Sequence, residues 1–201
     1  SAPPERDHRG HYVRGVTTSR RPRVAVYCAS RLGDDPAFAE AATRTGALLG
    51  RRGADLVFGG AGIGLMGLLA DAALAHGCHV LGVLPDHMSD REIAHDQLSE
   101  LRMVADMTVR KRVMFDEADA IVALPGGVGT LEELFEVLSW ASLGLHPKPI
   151  GLLNVAGYYD HLLAFMDGSV QHGLAKPKVR ELLIDDVDPE RLLERVLPGG
   201  V

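Results

Sequence analysis

The chain has 201 residues, 46% hydrophobic and 24% charged, enough apolar material for one core and too much for wholesale disorder. No apolar run approaches the roughly 20 residues a bilayer crossing needs, and no secretory leader is evident, so neither a membrane nor a secretory route is expected. Two cysteines, Cys28 and Cys78, are too few for a disulfide scaffold or a thiolate metal cage, and a reducing cytoplasm is the expected compartment.

The net charge of −6 is uneven: residues 1–22 carry five arginines against Glu5 and Asp7, a net of +3, which leaves −9 for the remainder. This basic stretch is poor in apolar residues and holds three prolines, so it reads as a flexible tail ahead of one domain at 23–201. An acidic body argues against a nucleic-acid partner. An anion bound by such a body must be held by local dipoles and a few basic side chains.

From residue 23 onward, short apolar runs alternate with longer helical patterns. Residues 23–29 (RVAVYCA) predict a strand, and Asp34-Asp35-Pro36 signal a helix that runs to Arg52 and ends at Gly53. Residues 56–58 predict a second strand leading into a glycine cluster and a helix to about His76. Residues 78–84 predict a third strand stopped by Pro85, and 101–104 a short fourth. A helix over 107–118, a strand at 120–124 and a helix after Gly129 follow. A strand at 150–153, a helix around 158–172 and a terminal strand–helix pair complete the pattern. Strands apolar on both faces, each followed by a helix, predict a doubly wound, Rossmann-like α/β fold: a parallel sheet with helices on both faces. Ligands of such sheets bind beyond the carboxyl ends of the strands.

Two strand-to-helix turns are rich in glycine: 59–67 (GGAGIGLMG) and 124–130 (LPGGVGT). Glycine admits close backbone approach, and a helix N-terminus offers unpaired N–H groups and a positive dipole. Both turns therefore suit a phosphate, with Gly59, Gly60, Gly126, Gly127 and Gly129 as candidate contacts and the Thr130 hydroxyl as a further donor. The competing reading is that each is simply a tight βα turn. Residues 62–67 also match the dinucleotide fingerprint GxGxxG, with Asp86 where a ribose-binding acid would be sought. That fingerprint normally follows the first strand of its unit, and here it follows the second, so a nicotinamide-dependent dehydrogenase is a minor alternative.

On the helix after Gly129, helical spacing makes Leu131, Leu134, Phe135 and Leu138 the core stripe and leaves Glu132 and Glu136 as solvated charges. Glu133 falls on the opposite face in the first turn, beside Val137 and Trp140. That face is expected to be covered by a ligand or a second subunit; the plainer reading is a helix-dipole acid beside an exposed tryptophan. Upstream, Arg110 and Lys111 sit at the border of an apolar face, from which they can snorkel outward or point into an anion pocket. Ser30, just past the first strand, can donate to a nucleotide or cap the following turn. His87, His95 and His146 fall in loops and are expected at the surface, and no Cys/His group has zinc-ligand spacing, so no metal is assigned.

The stretch Arg110-Lys111, then Asp119-Ala120, then 125–133 (PGGVGTLEE) resembles the signature of the LOG ("Lonely Guy") family, whose pattern is PGGxGTxxE with an upstream Arg-Lys pair. The 59–67 turn resembles the family's GGGxxGLMG with Ala61 in place of a glycine, and 143–159 also fits, so the likeness spans about residues 23–185. LOG proteins are cytokinin riboside 5′-monophosphate phosphoribohydrolases, long mislabelled lysine decarboxylases. The resemblance implies a homodimer that releases a free N6-substituted adenine and ribose 5-phosphate from the nucleotide, with water as second substrate and no metal or organic cofactor. By position it makes Glu133 and Arg110 the catalytic pair and Gly126, Gly127, Gly129 and Thr130 the phosphate loop. Thr108-Val109, where many members carry His followed by Glu or Gln, and Ala29, where they carry Gly, depart from the pattern and bear on base preference. A non-catalytic nucleotide-binding protein is the alternative in another class. A pyridoxal-dependent decarboxylase is not expected, because three of the four lysines neighbour prolines in loops and Lys111 has no evident cofactor pocket.

Overall fold

A computed structural model describes residues 20–86 and 94–197. Its centre is a seven-stranded sheet built from β1 (Arg23–Tyr27), β2 (Asp55–Phe58), β3 (Val80–Pro85), β4 (Glu100–Val104), β5 (Ala120–Ala123), β6 (Ile150–Leu153) and β7 (Leu183–Asp186). Every pairing is parallel, in the order β4-β3-β2-β1-β5-β6-β7. The chain winds outward from β1 in one direction, then returns to lay β5 on its other side. The switch point of the sheet therefore lies between β1 and β5, where Val26 pairs with Val122.

Alternation along the strands feeds two cores. Val24, Val26 and Phe58 face α1 (Pro36–Arg51), α2 (Gly64–Ala75) and α7 (Pro189–Val196), with Leu48, Leu69 and Leu193 buried against them. Ala25, Tyr27 and Val83 face α3 (Met107–Glu117), α4 (Val128–Ser142) and α5 (Asp160–Gln171), where Met114, Phe115 and Leu134 pack. Each buried Leu or Phe contributes about 1.5–3 kcal/mol. A short α6 (Pro177–Glu181), absent from the sequence reading, precedes β7. Asp35, Asp106 and Asp188 cap α1, α3 and α7, whereas α4 starts at Gly127 with no side-chain cap.

Several expectations need correction. Residues 20–22, assigned to the flexible tail, are tied to the domain: Arg20 makes a two-point pair with Asp119 at 2.8 and 2.9 Å, and the Pro22 carbonyl accepts from Asp55 N. Residues 1–19 and His87 lie outside the described residues. His95 is buried, with Nε2 on Asp71 at 2.9 Å and Nδ1 accepting from Gln97 N. His146 is half-buried between the Val137 carbonyl and Phe115. On α4 the buried stripe is rotated: Val137 is 2% exposed and Phe135 37%. Trp140 meets Phe115 of α3 edge-on at 5.2 Å, so this chain's own α3 covers that face. Both sides of α4 carry apolar residues, so helical periodicity left its rotation undetermined.

Candidate active site

At the switch point the Ala29 N–H donates to the Pro125 carbonyl, drawing the loops after β1 and β5 together. A cavity of about 330 Å³ opens there, lined by Ser30 and Arg31 after β1, Met66 of α2, Arg110 of α3, and Gly127, Gly129, Thr130 and Glu133 around the start of α4.

Arg110 is 6% exposed, and its guanidinium is aimed by two backbone carbonyls. Nε donates to Val83 O and Nη2 to Gly59 O, both at 3.0 Å, and Nη1 lies 3.7 Å from Met107 Sδ. It forms no ion pair among the described residues, so a nearly buried positive charge stands fixed beside the cavity.

Glu133 belongs to the second turn of α4, since the helix begins at Val128. It still reaches the cavity because Gly129 and Glu133, four residues apart, share a helix face. Burial pushes its carboxyl up to about 7. Arg110 and Lys111 oppose that rise, and Glu132 and Glu136 add to it. Cys28 lines the floor, but burial and Glu133 push its thiol far up, leaving it protonated and non-nucleophilic.

The two glycine turns separate on physical grounds. In the first, an added Cβ would meet protein at each fingerprint position: the backbone of Ser30 at Gly64 (φ +60°), the Gly62 carbonyl at Gly67, and His95 Cα, 3.1 Å away, at Gly62. Gly59 lies under Arg110, and the Gly60 carbonyl accepts from His95 N. The fingerprint is therefore a packing device one strand away from the switch point, and Gly59 and Gly60 stand behind the cavity wall. In the second, Cβ atoms at Gly127 and Gly129 would meet nothing within 4 Å. Packing does not require glycine there, and both positions open onto the cavity. Gly126 faces the other way, under the buried Thr130, with its carbonyl held by Tyr158 OH at 2.8 Å. The N–H groups of Val128, Gly129 and Thr130 precede the first intrahelical donor, Leu131, and form an uncapped end of the kind that suits an anion.

Lys111 does not line the cavity; its Nζ bonds Glu132 and Glu136. Ser30 lines it and does not cap α1, a role taken by Asp35. Sequence reasoning missed Arg31, Met66, Met107, Tyr158 and Tyr159. The last donates to Leu124 O at 2.8 Å and, with Tyr158, braces the loop from behind. For Arg31 the signal was a cation directly after Ser30 at a strand's carboxyl end, and Met66, Tyr158 and Tyr159 lay inside the stretches that resemble the family.

The family model described as "Possible lysine decarboxylase" matches residues 66–196. Cytokinin riboside 5′-monophosphate phosphoribohydrolase LOG7 of Arabidopsis thaliana is 47% identical over 180 residues, 90% of this chain and 83% of its own. LOG1 of the same plant is 44% identical, covering 89% and 84%. The probable enzyme LOGL2 of Oryza sativa subsp. japonica is 45% identical, covering 90% and 74%. The chain belongs to the LOG family.

The span matched by the LOG-family model contains Arg110, Lys111 and the whole 125–133 motif. Solved structures share the fold at low identity. The molybdenum cofactor binding protein of Rippkaea orientalis superposes with a TM-score of 0.68 at 20% identity, covering 89% of this chain and 97% of that one. The molybdenum cofactor carrier protein of Chlamydomonas reinhardtii gives 0.64 at 19%, covering 89% and 99%. Schiff-base chemistry of the kind the word decarboxylase suggests finds no lysine among the residues lining this LOG-family cavity: Lys111 is held by two carboxylates and Lys148 by the Phe115 carbonyl.

Proposed function

We propose that this protein hydrolyses the N-glycosidic bond of N6-substituted adenosine 5′-monophosphates, with AMP as a related substrate, releasing the free base and ribose 5-phosphate. The observation that carries the reading is Glu133, partly buried, beside a fixed Arg110, in a cavity that also holds the uncapped start of α4 with its two unobstructed glycines. The relatives' names supply the reaction; the geometry supplies the parts.

The 5′-phosphate sits on the N–H groups of Val128, Gly129 and Thr130, with the Thr130 and Ser30 hydroxyls and the Arg31 cation beside it. Glu133, ionised, stabilises the positive charge that develops at C1′ as the C1′–N9 bond breaks and its electron pair goes to the base. The same carboxylate orients a water whose oxygen bonds to C1′ and whose proton passes to Glu133, while the departing base takes up a proton from solvent and Glu133 then returns one to it. Arg110, with two of its N–H groups on carbonyls, acts as a fixed charge that favours the ionised Glu133 and keeps Nη1 for substrate.

A homodimer remains part of this proposal on a different face from the one the sequence suggested. Val137 and Trp140 are covered internally, whereas Phe135, Leu143, Phe165 and Leu174 border an open groove of about 490 Å³ between α4, α5 and α6. Light scattering after size exclusion tests it, and a monomer refutes it. A cytoplasmic setting is also proposed, supported by two buried free thiols; no helix among the described residues is long and apolar enough to cross a membrane.

Incubation with isopentenyladenosine 5′-monophosphate and with AMP, followed by assay of free base and ribose 5-phosphate, tests the hydrolase. Release of both products from either nucleotide supports it. Nucleotide binding without release, unchanged in Glu133→Ala, would make the protein a binding module instead.

A further inference from the structure

Lys111 follows Arg110 on α3, yet its side chain, 15% exposed, turns from the cavity toward α4. Its Nζ bonds the Glu132 carboxylate and, at 3.1 Å, that of Glu136. Those two residues are one helical turn apart and bracket Glu133, so three carboxylates lie within five residues of α4. Without the lysine, the two outer carboxylates would repel negative charge on Glu133. The Arg110-Lys111 dipeptide thus sends one cation to the cavity and the other to the carboxylates flanking its acid.

We infer that Lys111 is a positioning residue for glycosidic-bond cleavage: it fastens α4 to α3 through Glu132 and Glu136 and offsets one of their two negative charges, so that Glu133 meets the substrate ionised. The inference rests on the hydrolase reading above. Every charged or titratable group facing Glu133 fits it. Arg110 and Lys111 on α3 draw the carboxyl down, and Glu132 and Glu136 on α4 push it up. Tyr27 of β1 and Cys28 beyond it are held protonated by burial, and Arg31 lines the same cavity as a further cation.

The test compares pH profiles of kcat/KM for a nucleoside 5′-monophosphate in the parent, Lys111→Met, Lys111→Arg, Glu132→Gln and the Lys111→Met/Glu132→Gln pair. In Lys111→Met the acid limb moves upward by about half to one pH unit, a three- to tenfold loss below the limb. In Glu132→Gln it moves downward, the paired variant returns toward the parent, and arginine restores the parent profile. Glu132 is exposed, so its variant folds whatever befalls Lys111→Met. An acid limb unmoved in Glu132→Gln overturns the inference. So does a Lys111→Met that raises KM with its limb in place, which would make Lys111 a phosphate ligand. A parent that releases no base overturns the hydrolase reading itself, a result distinct from either.

Discussion

Arg110 Nη2 donates to the Gly59 carbonyl at 3.0 Å, on the side where a Cβ at residue 59 would overlap that nitrogen. The first glycine of the 59–67 turn is thus a seat for a cation carried 51 residues later in the chain. Gly59→Ala must displace the guanidinium, which can swing while the backbone stays. The expected outcome is a modest stability loss, about 1–3 kcal/mol in chemical denaturation, with kcat/KM lowered roughly 100-fold. Activity unchanged in a folded variant would remove Arg110 from the reaction.

Glu133→Gln keeps the shape and removes the charge. Loss of kcat by about 10²–10⁴ with nucleotide affinity retained is expected from steady-state kinetics and calorimetric titration.

Because the Glu133 carboxyl is pushed up to about 7, activity should rise with pH through neutrality and level off above it. Stability runs the other way. A carboxyl whose folded-state value lies above its unfolded value contributes stability that is complete below the unfolded value and is lost as pH climbs through the folded one. The ligand-free parent should therefore lose melting temperature relative to Glu133→Gln between about pH 5 and 8, at roughly 2–4 °C per kcal/mol. Parallel melting curves would contradict the raised value.

Gly129→Ala places a methyl where no protein atom lies within 4 Å, in the first turn of a helix. Thermal stability should hold or rise by up to about 1 kcal/mol while KM for the 5′-monophosphate rises tenfold or more. Gly126→Ala, which strikes the Thr130 side chain, should lose stability as well as activity. Equal behaviour of the two variants would mean that the loop glycines serve folding alone.

Arg31 lines the cavity and its side chain has no hydrogen bond or ion pair among the described residues. Arg31→Ala should raise KM for the nucleotide about tenfold or more, as loss of a charge-assisted contact to phosphate does, and leave weak turnover of the unphosphorylated nucleoside unchanged. An equal effect on both substrates would place Arg31 away from the phosphate.

Much of this molecule is written in short-range pattern. Short β-branched runs such as RVAVY and VLGVLP, set between helical patterns, read as strands buried on both faces, and Asp35-Pro36 reads as a helix start, so the parallel sheet and the PGGVGT turn beyond its carboxyl ends follow from neighbours in the chain. Other features were settled by residues far apart. In sequence Lys111 can face solvent or an anion pocket, and only Glu132 and Glu136, more than 20 positions away, decide where it goes. Residues 62–67 match a dinucleotide fingerprint in sequence, and only the atoms that fill the space beside those glycines mark them as packing positions. Phe135 and Val137 exchange roles because two apolar sides of one helix compete, and only the position of α3 decides which is buried. Strand pairing and helix starts depend on backbone geometry within a few residues, whereas a helix's rotation and a charge's partner depend on what the rest of the chain brings against it.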